Sequence, residues 1–148
     1  MRIGFIGLGN VGGKLAKNLL NNQFDLTVFD KNKEILNDFE LSGSKIASSI
    51  TQLVENTDLI ITCLPSPEVC AEVLESNIGI INSIQEGQIW MEMSTTDEEQ
   101  LKKHAAMIEE KKAIALEAPV SGGCHRAATG NISIFVGGNR EGFEKALP

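Results

Sequence analysis

Along this chain, short apolar bursts alternate with longer stretches in which apolar residues recur every three or four positions. The bursts, bounded by turn-forming residues, read as strands, and the longer stretches read as amphipathic helices. Ile3-Gly4-Phe5-Ile6 is the first predicted strand. A helix follows over roughly residues 10–22, where Val11, Leu15 and Leu19 share one stripe and Asn21-Asn22 closes it. Leu26–Phe29 is the second strand, ending at Asp30. A helical segment near Lys33–Leu41, a short strand at Lys45–Ala47 and a short helix through Val54 come next, with Ser48-Ser49 placed to cap that helix. Leu59–Leu64 is apolar on both faces, as a central parallel strand requires. Pro65 and Pro67 stop it, and a helix from Pro67 to Leu74 is expected. Ile89–Met93 is the fifth strand. Asp97–Lys112 is the longest helical stretch, with acidic residues in its first turn and Lys111-Lys112 in its last, which suits the helix dipole. Ile114–Leu116 and Ile132–Val136 complete the strands, and a last helix starts near Arg140 and stops at Pro148. Such a rhythm of βα units predicts an α/β fold, doubly wound around a mainly parallel sheet.

Composition narrows the class without changing that picture. The 148 residues suit one domain, 42% hydrophobic and 22% charged, as in soluble globular proteins. With 13 Lys+Arg against 20 Asp+Glu the net charge is −7, so no nucleic-acid partner is expected. An anionic cofactor remains compatible, because backbone amides at a helix start bind phosphate without a basic surface. Cys63, Cys70 and Cys124 form no close pair and read as reduced thiols. No apolar run approaches the ~20 residues of a membrane span, and Ile3–Leu8 is too short for a secretory signal. A cytoplasmic protein with no membrane partner is the expectation. Two histidines and three dispersed cysteines give no metal-ligand spacing.

Candidate chemistry begins at Gly7-Leu8-Gly9-Asn10-Val11-Gly12, a G-x-G-x-x-G between a buried strand and an amphipathic helix. In that context the spacing has a mechanism. Gly7 permits the tight turn, Gly9 lets backbone approach a pyrophosphate, and Gly12 lets the helix pack against the strand. Asp30, closing the next strand, is placed to accept the adenosine ribose hydroxyls and to repel a 2′-phosphate, which favours NAD over NADP. Lys31 and Lys33 pull the other way, as cations able to pair with that phosphate, and a turn-capping role for Asp30 is the plainer alternative.

The stretch FIGLGNVGGKLAKNL resembles the opening of the β-hydroxyacid dehydrogenases, the family of 3-hydroxyisobutyrate dehydrogenase. Three further segments are similar in order: Cys63-Leu64-Pro65, Ser94-Thr95-Thr96, and Glu117-Ala118-Pro119-Val120-Ser121-Gly122-Gly123 with Ala127, Gly130 and Val136-Gly137-Gly138. The resemblance implies a Rossmann-type cofactor domain over residues 1–148. It also implies an NAD(P)-dependent oxidoreductase acting on a small hydroxy-carboxylate or semialdehyde, with the parent a homo-oligomer. By the same likeness Gly7, Leu8, Gly9, Asn10, Val11, Gly12, Asp30, Leu64, Pro65 and Thr95 hold the cofactor. Ser121, Gly122 and Gly123 anchor the substrate. The family's catalytic lysine lies in a helical catalytic and dimerisation domain beyond Pro148, so no catalytic residue is transferred and the chain alone is expected to be inactive. A non-catalytic NAD-binding regulatory module is the rival reading, and reductases of the 6-phosphogluconate or imine type are nearer alternatives.

Departures from the family pattern are few. Glu117 stands where the family has Asp, and Glu98 where it tends to have Pro, which is expected to loosen that helix start. Asp30-Lys31-Asn32 replaces the Asn-Arg-Thr of many NADP users. Lys102, Lys103, Lys111, Lys112, Lys145 and His104 read as solvated helix charges. Cys124 and His125 read as loop residues shaping a pocket, since adjacent residues rarely face one another as nucleophile and base, and Arg126 reads as a surface arginine, with neutralising a substrate carboxylate as the alternative.

Overall fold

The computed structural model describes residues 1–147. In chain order the elements are β1 (Arg2–Ile6), α1 (Gly12–Asn21), β2 (Asp25–Phe29), α2 (Lys33–Leu41), β3 (Lys45–Ile46), α3 (Ile50–Glu55), β4 (Leu59–Thr62), α4 (Pro67–Glu75), α5 (Ile80–Ser83), β5 (Ile89–Glu92), α6 (Glu98–Glu110), β6 (Ile114–Glu117), β7 (Val120–Ser121), α7 (Gly123–Thr129), β8 (Ser133–Ile134), β9 (Gly137–Gly138) and α8 (Arg140–Ala146). The main sheet runs β3-β2-β1-β4-β5-β6-β9, and only the edge pairing of β6 with β9 is antiparallel. The chain winds outward from β1 to β3, then returns to place β4 on the other side of β1. Ligands of such sheets bind beyond the carboxyl ends of the strands where that order reverses, here at β1 and β4.

Two-residue alternation along the strands builds two cores. Ile3 and Phe5, Leu59 and Ile61, and Ile89 and Met91 face one layer, where they meet Leu15 and Ala16 of α1, Phe39 of α2 and Ala127 of α7. Ile6, Ile60 and Trp90 face the other, against Leu53, Val73, Leu74, Ile80 and Ile108 of α3 to α6. The first layer is open at one side, where Ile134, Phe143 and Leu147 border an apolar groove of about 440 Å³. No helix among the described residues is long and apolar enough to cross a membrane.

Five expectations need correction. Ile132–Val136 is not one strand: β8 and β9 are separate two-residue pairings, the first with β7 and the second with β6. Cys124 and His125 lie in helix α7 rather than in a loop. His104 is not solvated but 2% exposed, because Leu101, His104 and Ile108 form the buried stripe of α6. Lys111 and Lys112 lie just past the end of α6, with Lys112 at φ 59° in the turn. The loosened start expected of α6 is also absent, since Asp97 caps it by accepting from the Gln100 amide at 3.0 Å. The expected stop at Pro148 lies outside the described residues.

Candidate cofactor site

The glycine turn forms at the end of β1 for steric reasons that differ at each position. Gly7 sits at φ 95°, and a Cβ there would overlap the Cys63 carbonyl oxygen. Gly12 opens α1 so close to the turn that a Cβ would overlap the Gly7 carbonyl oxygen. At Gly9 a Cβ would meet nothing within 4 Å. Two of the glycines therefore hold the turn together, and the third faces open space. Helix α1 begins there without a side-chain cap and without an acidic residue in its first turn, so the positive end of its dipole is left to an external anion, while the Gly13 and Lys14 amides already donate to the Gly9 and Val11 carbonyls at 2.9 and 3.0 Å.

Asp30 is joined to this turn. Its Oδ2 accepts from the Leu8 amide at 2.7 Å and its Oδ1 from the Asn32 amide at 2.8 Å. A carboxylate has about four acceptor positions, so both oxygens can still take ribose hydroxyls. Leu8 itself turns its side chain into the core and gives its amide to Asp30. Lys31 is drawn toward α4, where its Nζ meets Glu72 at 2.8 Å.

The exits of β4 and β5 close the adjoining wall. The Cys63 carbonyl abuts Gly7, and the Leu64 amide donates to Ser94 Oγ at 2.7 Å. Leu64 and Pro65 are thereby tied to the segment that carries the exposed Thr95. Beneath them lies an ionisable group that sequence reading passed over. Glu92 is 1% exposed; its Oε1 accepts from the Ser94 amide at 2.7 Å and its Oε2 from Thr62 Oγ1 at 3.0 Å. Trp90 Nε1 donates to the same Thr62 oxygen at 3.0 Å. Burial pushes the Glu92 carboxyl above the usual glutamate range, against the hydrogen bonds from Ser94 and Thr62 that hold it down. The signal was present in the sequence as one acidic residue inside an otherwise apolar strand. Burial, with the Glu92 charge adding to it, pushes the Cys63 and Cys70 thiols up to about 11, so neither is a thiolate nucleophile near neutral pH.

Ser121 ends β7, and Gly122 and Gly123 lead into α7. Ser121 pairs with Ser133 in the small β7–β8 ladder, and Gly122 and Gly123 turn at φ 134° and 70°. Helix α7 then docks on α1, where Asn18 Nδ2 donates to the Ala127 carbonyl at 2.7 Å. Ser121 and both glycines are solvent-exposed.

The open space at Gly9, the uncapped helix start and the carboxylate at the end of β2 suit a dinucleotide: pyrophosphate at the turn, adenosine ribose at Asp30. Residues 2–148 match the family described as the NAD binding domain of 6-phosphogluconate dehydrogenase. The chain is 37% identical over 144 residues to the mouse mitochondrial 3-hydroxyisobutyrate dehydrogenase, covering 97% of this chain and 43% of that protein. Among solved structures it is similar to Mycobacterium tuberculosis 3-hydroxyisobutyrate dehydrogenase with L-serine, at 27% identity and a TM-score of 0.89 over all of this chain and 50% of that one. It is also similar to Psf3 in complex with NADP+ and 2-OPP, at 27% identity and a TM-score of 0.94 over 97% of this chain and 51% of that one. The chain thus spans about half the length of the proteins it matches. By topology, by the glycine turn and by this match, the chain belongs to the family of NAD-binding domains typified by that of 6-phosphogluconate dehydrogenase.

Proposed function

We propose that this chain is the cofactor half of an NAD(P)-dependent dehydrogenase acting on a small 3-hydroxy acid such as 3-hydroxyisobutyrate, or on the matching semialdehyde. The observation that carries the reading is the open space at Gly9 beside an uncapped helix start, with Asp30 hydrogen-bonded to the same turn. Backbone at Gly9 to Gly12 holds the pyrophosphate, and Asp30 takes the adenosine ribose. Leu64, Pro65 and Thr95 border the nicotinamide end. The bound cofactor supplies the hydride acceptor or donor, which no side chain replaces. NAD is preferred to NADP, because Asp30 would face the added phosphate and Lys31 is already paired with Glu72. Ser121 and the amides of Gly122 and Gly123 anchor the substrate carboxylate.

We assign none of the described side chains as the general acid/base. Lys31, Lys45, Lys102, Lys103, Lys112 and Lys145 each pair with a carboxylate, and all are exposed. His125 is exposed on α7. A general acid/base is typically worth ~10²–10⁴ in rate, so these 148 residues by themselves bind cofactor but turn over slowly or not at all. The test is NADH formation from NAD+ with 3-hydroxyisobutyrate or L-serine. No turnover by a chain that binds NADH is the expected result. Robust turnover would place the acid/base within these residues and overturn the division of labour.

A further inference from the structure

Glu92 lies outside the groups assigned to cofactor or substrate, yet its hydrogen bonds reach the cofactor wall from below. Starting at the core, Trp90 Nε1 donates to Thr62 Oγ1 at 3.0 Å, which commits that hydroxyl's single proton elsewhere. Its acceptors are Glu92 Oε2 at 3.0 Å and, more distantly, the Met91 carbonyl at 3.5 Å. Glu92 Oε1 holds the Ser94 amide at 2.7 Å, and Ser94 Oγ holds the Leu64 amide at 2.7 Å. The series therefore runs from a buried indole through a carboxyl to the backbone of Leu64 and to the residue preceding Thr95. Trp90, Thr62 and Glu92 are all 1% exposed or less, and Ser94 is 5% exposed. A buried carboxyl is a costly means of bracing two loops, and apolar residues would hold the strands as well. Its advantage is directional: it fixes the Ser94 amide and, through Ser94, the Leu64 amide.

We propose that Glu92 is a positioning residue for the dinucleotide, holding the exits of β4 and β5 in the register that sets Leu64 against the glycine turn. This rests on the cofactor reading above. Glutamine at 92 keeps an oxygen for the Ser94 amide, and its amide nitrogen can donate to Thr62 once that hydroxyl turns to the Met91 carbonyl. Leucine at 92 takes neither hydrogen bond.

The chain contains one tryptophan, Trp90, so energy transfer from its indole to bound NADH reports affinity. NADH titrations of the wild-type chain, Glu92→Gln, Glu92→Leu, Ser94→Ala and the Glu92→Leu/Ser94→Ala double variant are compared at a temperature where melting curves show each one folded. Loss of an oriented hydrogen bond predicts binding weakened roughly tenfold or more in Glu92→Leu and Ser94→Ala, and about threefold in Glu92→Gln. The double variant is expected to be no weaker than the weaker single variant, because both cut one series. If Glu92→Leu does not fold, Ser94→Ala and Glu92→Gln carry the test alone. A purely structural Glu92 would lower melting temperatures and leave affinity within twofold of wild type, which would overturn the proposal. Wild-type chain that fails to bind NADH would overturn the cofactor reading and the proposal with it.

Discussion

Gly9 and Gly12 show how one residue type serves opposite needs three positions apart. A side chain at Gly12 would overlap the Gly7 carbonyl, whereas one at Gly9 would enter open space. Gly9→Val is therefore expected to melt near the wild-type temperature while losing NADH binding, and Gly12→Val is expected to unfold or lose several kcal/mol, as overpacking against backbone does. Melting curves beside NADH titrations separate the two; normal binding by Gly9→Val would reduce the turn to architecture. Glu92 makes a second prediction at this scale. Its carboxyl titrates higher in the folded chain than its usual 4.5, because burial penalises the charge. Its contribution to stability is then whole below the unfolded value and is lost as pH rises through the folded one. Across that window the unfolding free energy of wild type from denaturant melts should fall relative to Glu92→Gln, by about 1.4 kcal/mol for each unit of raised pKa. The groups facing it do not obscure this, since Cys63 and Cys70 titrate at about 11 and Glu117 on β6 is exposed. A constant gap between the two chains would contradict the assignment. The glycines were legible in the sequence because their spacing is local. Glu92 was legible only as an acidic residue in an apolar strand, and the hydrogen-bond partners that accompany the burial of Glu92 and His104, Thr62 and Glu75, lie about thirty residues away in the chain.

At the scale of elements, local rules carried far. Helix α2 spans the residues its periodicity predicted, and Ser49, Ser66 and Asp97 each cap the helix that follows them. Reading failed where pairing rather than pattern decides. Ile132–Val136 has the composition of a strand, yet Val120-Ser121 claims its centre and β6 claims the glycines after it. Helix α7 was missed for a related reason: Gly122 and Gly123 read as a loop, and only its packing on α1 makes Gly123–Thr129 a helix. Asn18 is the polar link in that packing, donating to the Ala127 carbonyl at 2.7 Å and to the Lys14 carbonyl at 2.9 Å. Asn18→Ala should cost about 1–2 kcal/mol and raise hydrogen exchange in residues 123–131. NADH affinity should stay within twofold, because the start of α1 is untouched. Unchanged exchange would show that apolar contact alone seats α7.

For the molecule as a whole, the sheet order decides where chemistry is possible. Reversal between β1 and β4 opens a crevice at their carboxyl ends, and the glycine turn, Asp30, Leu64 and Thr95 all belong to segments that leave the sheet on that side. This order was legible as a class from the alternation of elements, but the antiparallel edge at β9 was not, because two glycines carry no strand signal. Net charge of −7 leaves no general attraction for a dinucleotide, so binding must come from the turn and the carboxylate. Calorimetric titration of this chain with NAD+ and with NADP+ tests that most directly. One NAD+ per chain, bound about tenfold or more tightly than NADP+ for a difference of roughly 1.4 kcal/mol or more, is the expected result. No heat with either nucleotide, or NADP+ bound as tightly as NAD+, would contradict the roles given to the glycine turn and to Asp30.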